Sequence, residues 1–125
     1  MDLQHNKRLG QSGEDLAANF LISNGYKIII KNFHSAYGEI DIIALREETL
    51  VFIEVKTRRT NNNLKSSHET ALNSVSLAKR TKLLQTASIF LSQNPVYEHL
   101  PSRFDVITIV GWKNKCQLLH LKDAF

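Results

Sequence analysis

The stretch Gly38–Thr57, which reads GEIDIIALREETLVFIEVKT, decides the fold prediction because charged side chains interrupt two apolar, β-branched runs. Residues such as Ile, Val and Phe favour strands, so we predict two strands, at about Glu39–Leu45 and Leu50–Lys56, joined at the REET segment. Charges within such runs need a reason, because a buried charge must be paired or hydrogen bonded. The charged residues in question are Glu39, Asp41, Glu54 and Lys56.

The register of this hairpin determines which charges meet. If the turn is centred between the two glutamates of REET, Asp41 faces Glu54, and alternation puts all four charges on one face. Facing side chains in a hairpin have Cβ atoms about 4.5 to 5.5 Å apart, so the two carboxylates would repel each other and at least one pKa would rise. A hard divalent cation such as Mg²⁺ would remove that conflict, since it prefers oxygen ligands.

Two alternatives stay open for these charges. Glutamates are poor residues for a tight two-residue turn, and a register slip of one residue would separate Asp41 from Glu54. In addition, Glu39 and Lys56 could form an ordinary cross-strand ion pair, with the other two carboxylates exposed at a sheet edge.

Away from the charges, both faces of the hairpin are apolar, which indicates that helices cover both sides of the sheet. The charged face also carries Ile43, Leu45, Leu50 and Phe52. The opposite face carries Ile40, Ile42, Ala44, Val51, Ile53 and Val55.

The segment before the hairpin predicts a helix and a strand. A pattern that resembles a capping box begins at Ser12 and opens a helix predicted at about Gly13–Asn24. Gly25 suits the left-handed residue that ends a helix. The β-branched run Tyr26–Lys31 then predicts a buried strand.

The segment after the hairpin completes an α/β pattern. Between about 57 and 68 the chain is polar and basic, and we expect a mobile loop there. Ser76 is predicted to cap a second helix that ends at Asn94, and the runs RFDVITIV and KCQLLHL predict a final hairpin. The order α-β-β-β-α-β-β predicts a single-domain sandwich in which helices flank a central mixed β-sheet.

Composition restricts the class of protein. At 125 residues the chain can form one domain with its own core, and a formal net charge of +4 favours an anionic partner such as nucleic acid without requiring one. Cys116 is the only cysteine, which excludes an internal disulfide and fits a reducing cytoplasm. We predict no membrane span, and the five scattered histidines are expected to be surface or lightly packed side chains.

Several of these motifs resemble known proteins. Asp41, followed on the adjoining strand by the run Glu54–Lys56 (EVK), resembles the active-site signature of the PD-(D/E)XK nuclease superfamily, which has the restriction-endonuclease-like fold. Across nearly the whole chain, the motifs GEDLAANFL, GEIDIIA, VFIEVKTR and RFDVI resemble the YraN-like family of small uncharacterised bacterial proteins. One departure is Ile40, which stands where the superfamily's name has a proline, a residue without a catalytic group.

The resemblance implies one nuclease-like domain over residues 1–125, with a divalent-metal site. The metal, Mg²⁺ or Mn²⁺, would be held by Asp41, Glu54 and the backbone carbonyl of Val55. Lys56 would lie beside the attacking water, which it can orient, or it can stabilise the phosphorane as a cation. To act as a base, Lys56 must have a lowered pKa.

Further residues are candidates around this site. Glu14, on the first helix, is a fourth catalytic candidate, although a carboxylate near a helix N-terminus is also favourable by itself. Glu39 is expected to support Lys56. The candidates for nucleic-acid binding, each of which could equally be a solvated surface charge, are Arg58, Arg59, Lys65 and Lys79.

Two functional hypotheses follow. The first is a Mg²⁺-dependent endonuclease that acts on DNA, including branched or otherwise structured DNA, in the cytoplasm. Paired cuts would require a twofold homodimer, which the sequence does not reveal. The alternative is a non-catalytic nucleic-acid-binding module on the same fold, whose binding would be sensitive to salt and independent of Asp41.

Overall fold

The structure is a computed structural model that describes residues 3–59, 68–69, 71, 73, 75–112 and 115–125, without the side chains of 3–11 and 112. A single five-stranded mixed sheet has its strands in chain order, with a helix against each face. The order α-β-β-β-α-β-β confirms the predicted α/β sandwich. The elements are α1 (Leu3–Ser23), β1 (Lys27–Ser35), β2 (Gly38–Arg46), β3 (Thr49–Arg59), α2 (Leu77–Gln93), a short 3₁₀ helix (Pro95–Tyr97), β4 (Ser102–Trp112) and β5 (Lys115–Leu121).

The β2–β3 hairpin has the predicted register. Its ladder begins at Ile42 opposite Ile53 and ends at a two-residue turn. The turn consists of Glu47 and Glu48, and Glu47 takes a positive φ of 54°, a conformation in which side chains other than Gly and Asn are uncommon. β3 and β4 are parallel, and α2 lies between them in the chain because a parallel pair needs a crossover connection.

Two apolar clusters cover the two faces of the sheet. The α1 face includes Ile42 and Ile53, and the α2 face includes Ile43 and Phe52. These positions agree with the predicted alternation. The predicted position of Ile40 is wrong, because it lies on the α2 face rather than with its neighbour Ile42 on the α1 face.

The alternation of β2 breaks at Asp41. Asn32, which lies in β1 between the partners of Ile40 and Ile42, has a φ of 56°. The β2–β3 ladder also ends at this level. The break in alternation therefore coincides with the left-handed residue of β1 and with the point where β2 leaves β3.

The first helix is longer than predicted. α1 begins at Leu3, so Ser12 lies within it and does not cap its N-terminus. Asp15 forms a surface ion pair with Lys31 at 3.4 Å instead of closing a capping box. Gly25, with a φ of 86°, follows the helix as predicted.

The second helix begins as predicted. Ser76 caps α2 by accepting a hydrogen bond from the Lys79 N–H at 3.2 Å, and Pro95 follows the helix end. No helix in the described ranges is long and apolar enough to cross a membrane.

The loop predicted at about 57–68 differs from the structure at both ends. Thr57–Arg59 continue β3, because their backbone groups pair with Ile109–Gly111 of β4 and this pairing does not depend on polar side chains. His68 is helical and buried. The remaining part of the predicted loop, 60–67, lies outside the described residues.

Candidate active site

The candidate site lies where β2 and β3 separate. Their ladder stops at Ile42 opposite Ile53, whereas β3 stays paired with β4 as far as Arg59. Just beyond the last pair, Asp41 Oδ2 accepts a hydrogen bond from the Val55 N–H at 2.8 Å. The carboxylate therefore occupies the position of the backbone carbonyl that would have continued the ladder.

Asp41 is an unfavourably placed carboxylate. Only 7% of its surface is exposed, and its pKa is raised to about 7, first because burial disfavours the charged form and second because Glu54 is close. The Val55 N–H lowers the pKa, while the charges of Glu14 and Glu39 raise it further. This is the direction of shift that the hairpin register predicts.

Glu54, which is equally buried, contacts two ammonium groups. Its Oε1 lies 3.1 Å from Lys56 Nζ and 3.0 Å from Lys79 Nζ. Lys56 is two residues along the same strand, whereas Lys79 stands in the first turn of α2. Lys79, which is predicted as a candidate for nucleic-acid binding or as an unpaired surface lysine, therefore contacts a buried carboxylate of the candidate site.

The two lysines differ in pKa. Burial lowers the pKa of Lys56, and its contact with Lys79 lowers it further, which together outweigh the attraction of Glu54. Burial also lowers the pKa of Lys79, but its contacts with Lys56 and Glu54 are stronger and hold that pKa above its ordinary value. Lys79 therefore stays cationic, and Lys56 is the lysine that releases a proton more readily.

Glu14 reaches the site because α1 lies very close to β3. A Cβ atom at position 13 would be 2.1 Å from Cγ2 of Thr57, so Gly13 is required for this approach. Glu14 is half-buried, and its charge raises the pKa of Asp41. The expected direction of Glu14, from the helix toward the sheet, agrees with the structure.

Glu39 has a different partner from the one predicted. Its Oε2 lies 3.1 Å from Nδ1 of His34 on the surface, and Lys56 contacts Glu54 instead. Because His34 is the cross-strand partner of Glu39 in the β1–β2 ladder, the Glu39 carboxylate turns toward β1 and away from β3.

The predicted nucleic-acid contacts are not all in a loop. Arg58 and Arg59 lie at the end of β3, where Arg58 donates a hydrogen bond to the Thr57 carbonyl at 2.8 Å. Lys65 lies outside the described residues. Arg58 is half-buried and Arg59 is exposed, so β3 carries two basic side chains just beyond Lys56.

The oxygen atoms at this opening fit a hard divalent cation. Asp41 contributes one carboxylate, and Glu54 makes both of its ion pairs through Oε1, so that Oε2 can serve as a ligand. The Val55 carbonyl faces the same side of β3 as the Val55 N–H, because both groups of a strand residue point one way. Among the described residues, no group of three or more His, Cys, Asp or Glu side chains is arranged to hold a metal ion. Two carboxylates with water are nevertheless a usual Mg²⁺ environment.

Sequence reasoning missed two buried histidines. Nδ1 of His68 lies 2.5 Å from Oγ1 of Thr108, and Thr108 is the β4 partner of Lys56, so His68 borders the candidate site. The expectation of surface or lightly packed histidines is therefore wrong for His68, which is buried, and for His120, whose side chain is only 7% exposed. Single histidines without shared spacing carry no signal that could have located His68.

His120 belongs to a second polar cluster, on the α1 side of the sheet. Its Nε2 lies 2.7 Å from Asp105 Oδ2, and Arg103 Nε donates to Asp105 Oδ1 at 3.0 Å. Arg103 also donates to the hydroxyl of Tyr26 at 2.7 Å. We call Asp105, Arg103, His120 and Tyr26 the Asp105 network. The register of the final hairpin, which pairs Ile107 with His120, could have predicted this contact.

The charge of Asp105 is well compensated. Burial raises the pKa of this fully buried carboxyl, but hydrogen bonds from His120, Arg103 and the Asp123 N–H outweigh burial. They hold the pKa of Asp105 below its ordinary value. The network therefore stabilises the carboxylate form without any added ligand.

Comparison with known proteins gives matches over almost the whole chain. The family described as "Uncharacterised protein family UPF0102" matches residues 13–109. A UPF0102 protein of Treponema pallidum (strain Nichols) is 39% identical over 125 residues, which cover 98% of this chain and 95% of the relative. A UPF0102 protein of Clostridium perfringens (strain ATCC 13124) is 40% identical over 124 residues, with 98% and 97% covered. One from Syntrophomonas wolfei is 38% identical over 120 residues, with 96% and 99% covered.

Proposed function

Because this chain belongs to the uncharacterised protein family UPF0102, whose description names no activity, we propose a function from its own site. The family membership confirms the YraN-like resemblance of the motifs. The proposed function is a divalent-metal-dependent nuclease that hydrolyses phosphodiester bonds of DNA. The observation that carries the proposal is the pair of buried carboxylates, Asp41 and Glu54, at the point where β2 and β3 separate.

Asp41 and Glu54 would hold the cation, Mg²⁺ or Mn²⁺, together with the Val55 carbonyl. When bound, a divalent cation lowers the pKa of water and offsets the negative charge of the phosphate. Because the pKa of Asp41 is raised to about 7, ligand binding by this carboxyl displaces a proton near neutral pH. Metal affinity should therefore increase as the pH rises through 7.

Lys56 would act on the attacking water. Burial lowers the pKa of Lys56, which favours the neutral amine relative to an ordinary lysine, and the neutral amine is the form that would accept a proton from that water. Lys79 remains charged and contacts Glu54, so it supplies a positive charge where the phosphate would lie. Glu14 reaches the site from the α1 side, and it would bind the cation through water.

The DNA backbone would run along the basic residues beside the site. Arg58 and Arg59 follow Lys56 on β3, and arginine binds phosphate through paired hydrogen bonds. A formal net charge of +4 favours association with a polyanion.

A cleavage assay tests the proposal. Purified protein is incubated with labelled duplex, single-stranded, flap and four-way-junction DNA in Mg²⁺, Mn²⁺ or EDTA. We expect cleavage that requires metal and that falls about 100-fold or more in Asp41→Asn and in Lys56→Gln, as for the loss of a residue that takes part in proton transfer. Glu39→Gln is the matched control, because Glu39 is a nearby surface acid paired with His34.

Two outcomes would remove the catalytic proposal. The first is equal cleavage by the wild type and both site variants, which would indicate a contaminating nuclease. The second is no cleavage of any substrate in either metal. If DNA binding is then sensitive to salt but unchanged by Asp41→Asn, the protein is instead a non-catalytic nucleic-acid-binding module.

A further inference from the structure

A small pocket shares Glu54 and Lys79 with the candidate active site, and the proposed hydrolysis gives no role to Tyr37 and Lys82, which also line it. Its volume is about 130 Å³, and its lining includes Tyr37, Glu54, Lys79 and Lys82. Sites for whole small molecules usually measure roughly 300 to 1,000 Å³, whereas a water molecule takes about 30 Å³. The pocket can therefore receive one phosphate group, but a whole nucleotide would extend beyond it.

The charges of the pocket suit an anion. Lys82 lies one turn after Lys79 on α2, so both ammonium groups are on the same side of the helix. Lys79 is already held by Glu54, while the side chain of Lys82 is exposed. Glu39 also lines the pocket, but its carboxylate pairs with His34 at 3.1 Å. Lys82 is therefore available to bind the phosphate that neighbours the scissile phosphate.

The rim of the pocket carries an aromatic side chain on a fixed turn. Tyr37 is 51% exposed, yet its backbone N–H donates to Ser35 Oγ at 3.1 Å. Ser35 Oγ lies 3.0 Å from Oγ1 of Thr86, which is fully buried on α2. The turn between β1 and β2 is therefore tied to the helix that carries the lysines. The backbone that carries the exposed ring is held in place, which reduces the entropy that the turn would lose on binding.

We propose that Tyr37 and Lys82 form a subsite for one unpaired nucleotide of a single-stranded nucleic acid. Tyr37 stacks on the base and Lys82 binds the phosphate. In an intact duplex the bases stack on one another, so a base reaches Tyr37 only where the strand is single or frayed. The inference rests on the proposed nuclease function for its position beside a scissile phosphate, and it names the substrate class of that site: single-stranded ends and flaps.

The test measures binding without cleavage. Fluorescence anisotropy in EDTA compares a labelled single-stranded DNA oligonucleotide of mixed sequence with the blunt duplex of the same sequence. We expect Tyr37→Ala to weaken single-strand binding roughly tenfold and duplex binding less than about twofold, since stacking on an aromatic ring is specific to unpaired bases. Tyr37→Phe keeps the ring and should bind like the wild type, which separates stacking from the hydroxyl.

The lysine is tested with a matched control. Lys82→Gln should weaken single-strand binding and reduce the slope of log affinity against log salt by about 0.7, the value for one lost phosphate contact on a single strand. Lys27→Gln removes an exposed lysine near the other end of the sheet and should leave the affinity unchanged. A single-stranded RNA of the same sequence shows whether the unpaired base comes from DNA or from RNA. Tyr37→Ala should weaken the binding of whichever of the two the protein binds.

Unchanged single-strand binding in Tyr37→Ala overturns the subsite, and so does an equal loss on single strand and duplex. Thermal unfolding of each variant shows that it is folded, and Tyr37→Phe gives a second comparison at the same position. The result is distinguishable from that of the cleavage assay. Metal-dependent cleavage without a Tyr37 effect leaves a nuclease that lacks this subsite, and a Tyr37 effect without cleavage leaves a single-strand-binding protein.

Discussion

The protein buries two aspartates in one sheet and surrounds them in opposite ways. Asp105 is fully buried and receives hydrogen bonds from His120, Arg103 and the Asp123 N–H, so its pKa lies below the ordinary value. Asp41 is almost as buried, but it lies near the charge of Glu54, and its pKa is raised to about 7. Hydrogen bonds from the protein outweigh the cost of burying the Asp105 charge, whereas they do not outweigh it for Asp41.

The difference follows from the groups that each carboxylate meets, because the ladders around the two residues are alike. Asp105 lies one residue beyond the last β4–β5 pair, Val106 with Leu121, and Asp41 lies one residue beyond the last β2–β3 pair. Beyond its ladder end, Asp105 meets Arg103, His120 and the Asp123 N–H. Asp41 meets the Val55 N–H and the charge of Glu54. Asp105 is therefore a structural charge, whereas Asp41 carries a charge that a bound cation would offset.

The largest expected effect on stability is at Asp105, the compensated carboxylate. Asp105→Asn removes the buried charge that half-buried Arg103 and His120 contact, and we expect the free energy of unfolding to fall by about 3 kcal/mol, the lower end for a broken buried ion pair. Urea denaturation in EDTA measures this change. Asp123→Asn is the control, because the Asp123 side chain is exposed and only its backbone N–H contacts Asp105. A loss below about 1 kcal/mol in Asp105→Asn would contradict the structural role, since that is the size of an ordinary hydrogen bond.

The same substitution at Asp41 should have the opposite sign. Asp41→Asn removes a charge whose pKa is raised from 3.8 to about 7, and each unit of pKa shift corresponds to about 1.4 kcal/mol. We expect the variant to be more stable than the wild type by roughly 2 to 4 kcal/mol at pH 8 in EDTA. Destabilisation by Asp41→Asn would show that Asp41 is compensated like Asp105, and the comparison would fail.

The pH dependence sharpens this second expectation. Between pH 4 and 7 the folded protein keeps a proton on Asp41 that the unfolded chain releases, so stability should fall as the pH rises through this window and then level off. Asp41→Asn should lack that slope. Asp105 acts in the reverse sense, because its lowered pKa makes its stabilisation complete above 3.8 and lost only as the pH falls further.

A smaller effect is expected from added metal. If Asp41 and Glu54 bind a divalent cation, Mg²⁺ or Mn²⁺ at about 100 times its Kd should stabilise the wild type by about 2.7 kcal/mol through mass action. Thermal unfolding across a metal titration measures the rise. Asp41→Asn should show none, while Asp123→Asn should show all of it. An equal rise in both variants would place the metal elsewhere.

The smallest effect is expected at Glu39. Its contact with His34 lies on the surface, and even charged exposed pairs usually contribute less than about 1 kcal/mol. Glu39→Gln should therefore change the free energy of unfolding by no more than about 0.5 kcal/mol and leave cleavage nearly unchanged. Loss of cleavage in Glu39→Gln would instead favour the sequence-based prediction that Glu39 supports Lys56.

Much of the candidate site could be predicted from local sequence, because strand periodicity is local. Alternation and the REET turn bring Asp41 and Glu54 to the same end of the hairpin, and both are buried there. The same rule failed at Ile40, which lies where β2 leaves β3 and beside a left-handed residue of β1. Glu39 was assigned the wrong partner for a related reason, because the hairpin register ignores β1.

The sequence by itself determined the element order, the family and the two carboxylates, since each depends on residues near one another in the chain. The tertiary structure alone decided that Lys79 would meet Glu54, that Gly13 would let α1 approach Thr57, and that His120 would compensate Asp105. These contacts join elements that are far apart in sequence, and the packing of two helices on one sheet sets their distances. The uncompensated charge of Asp41, on which the proposed function depends, is a property of that packing.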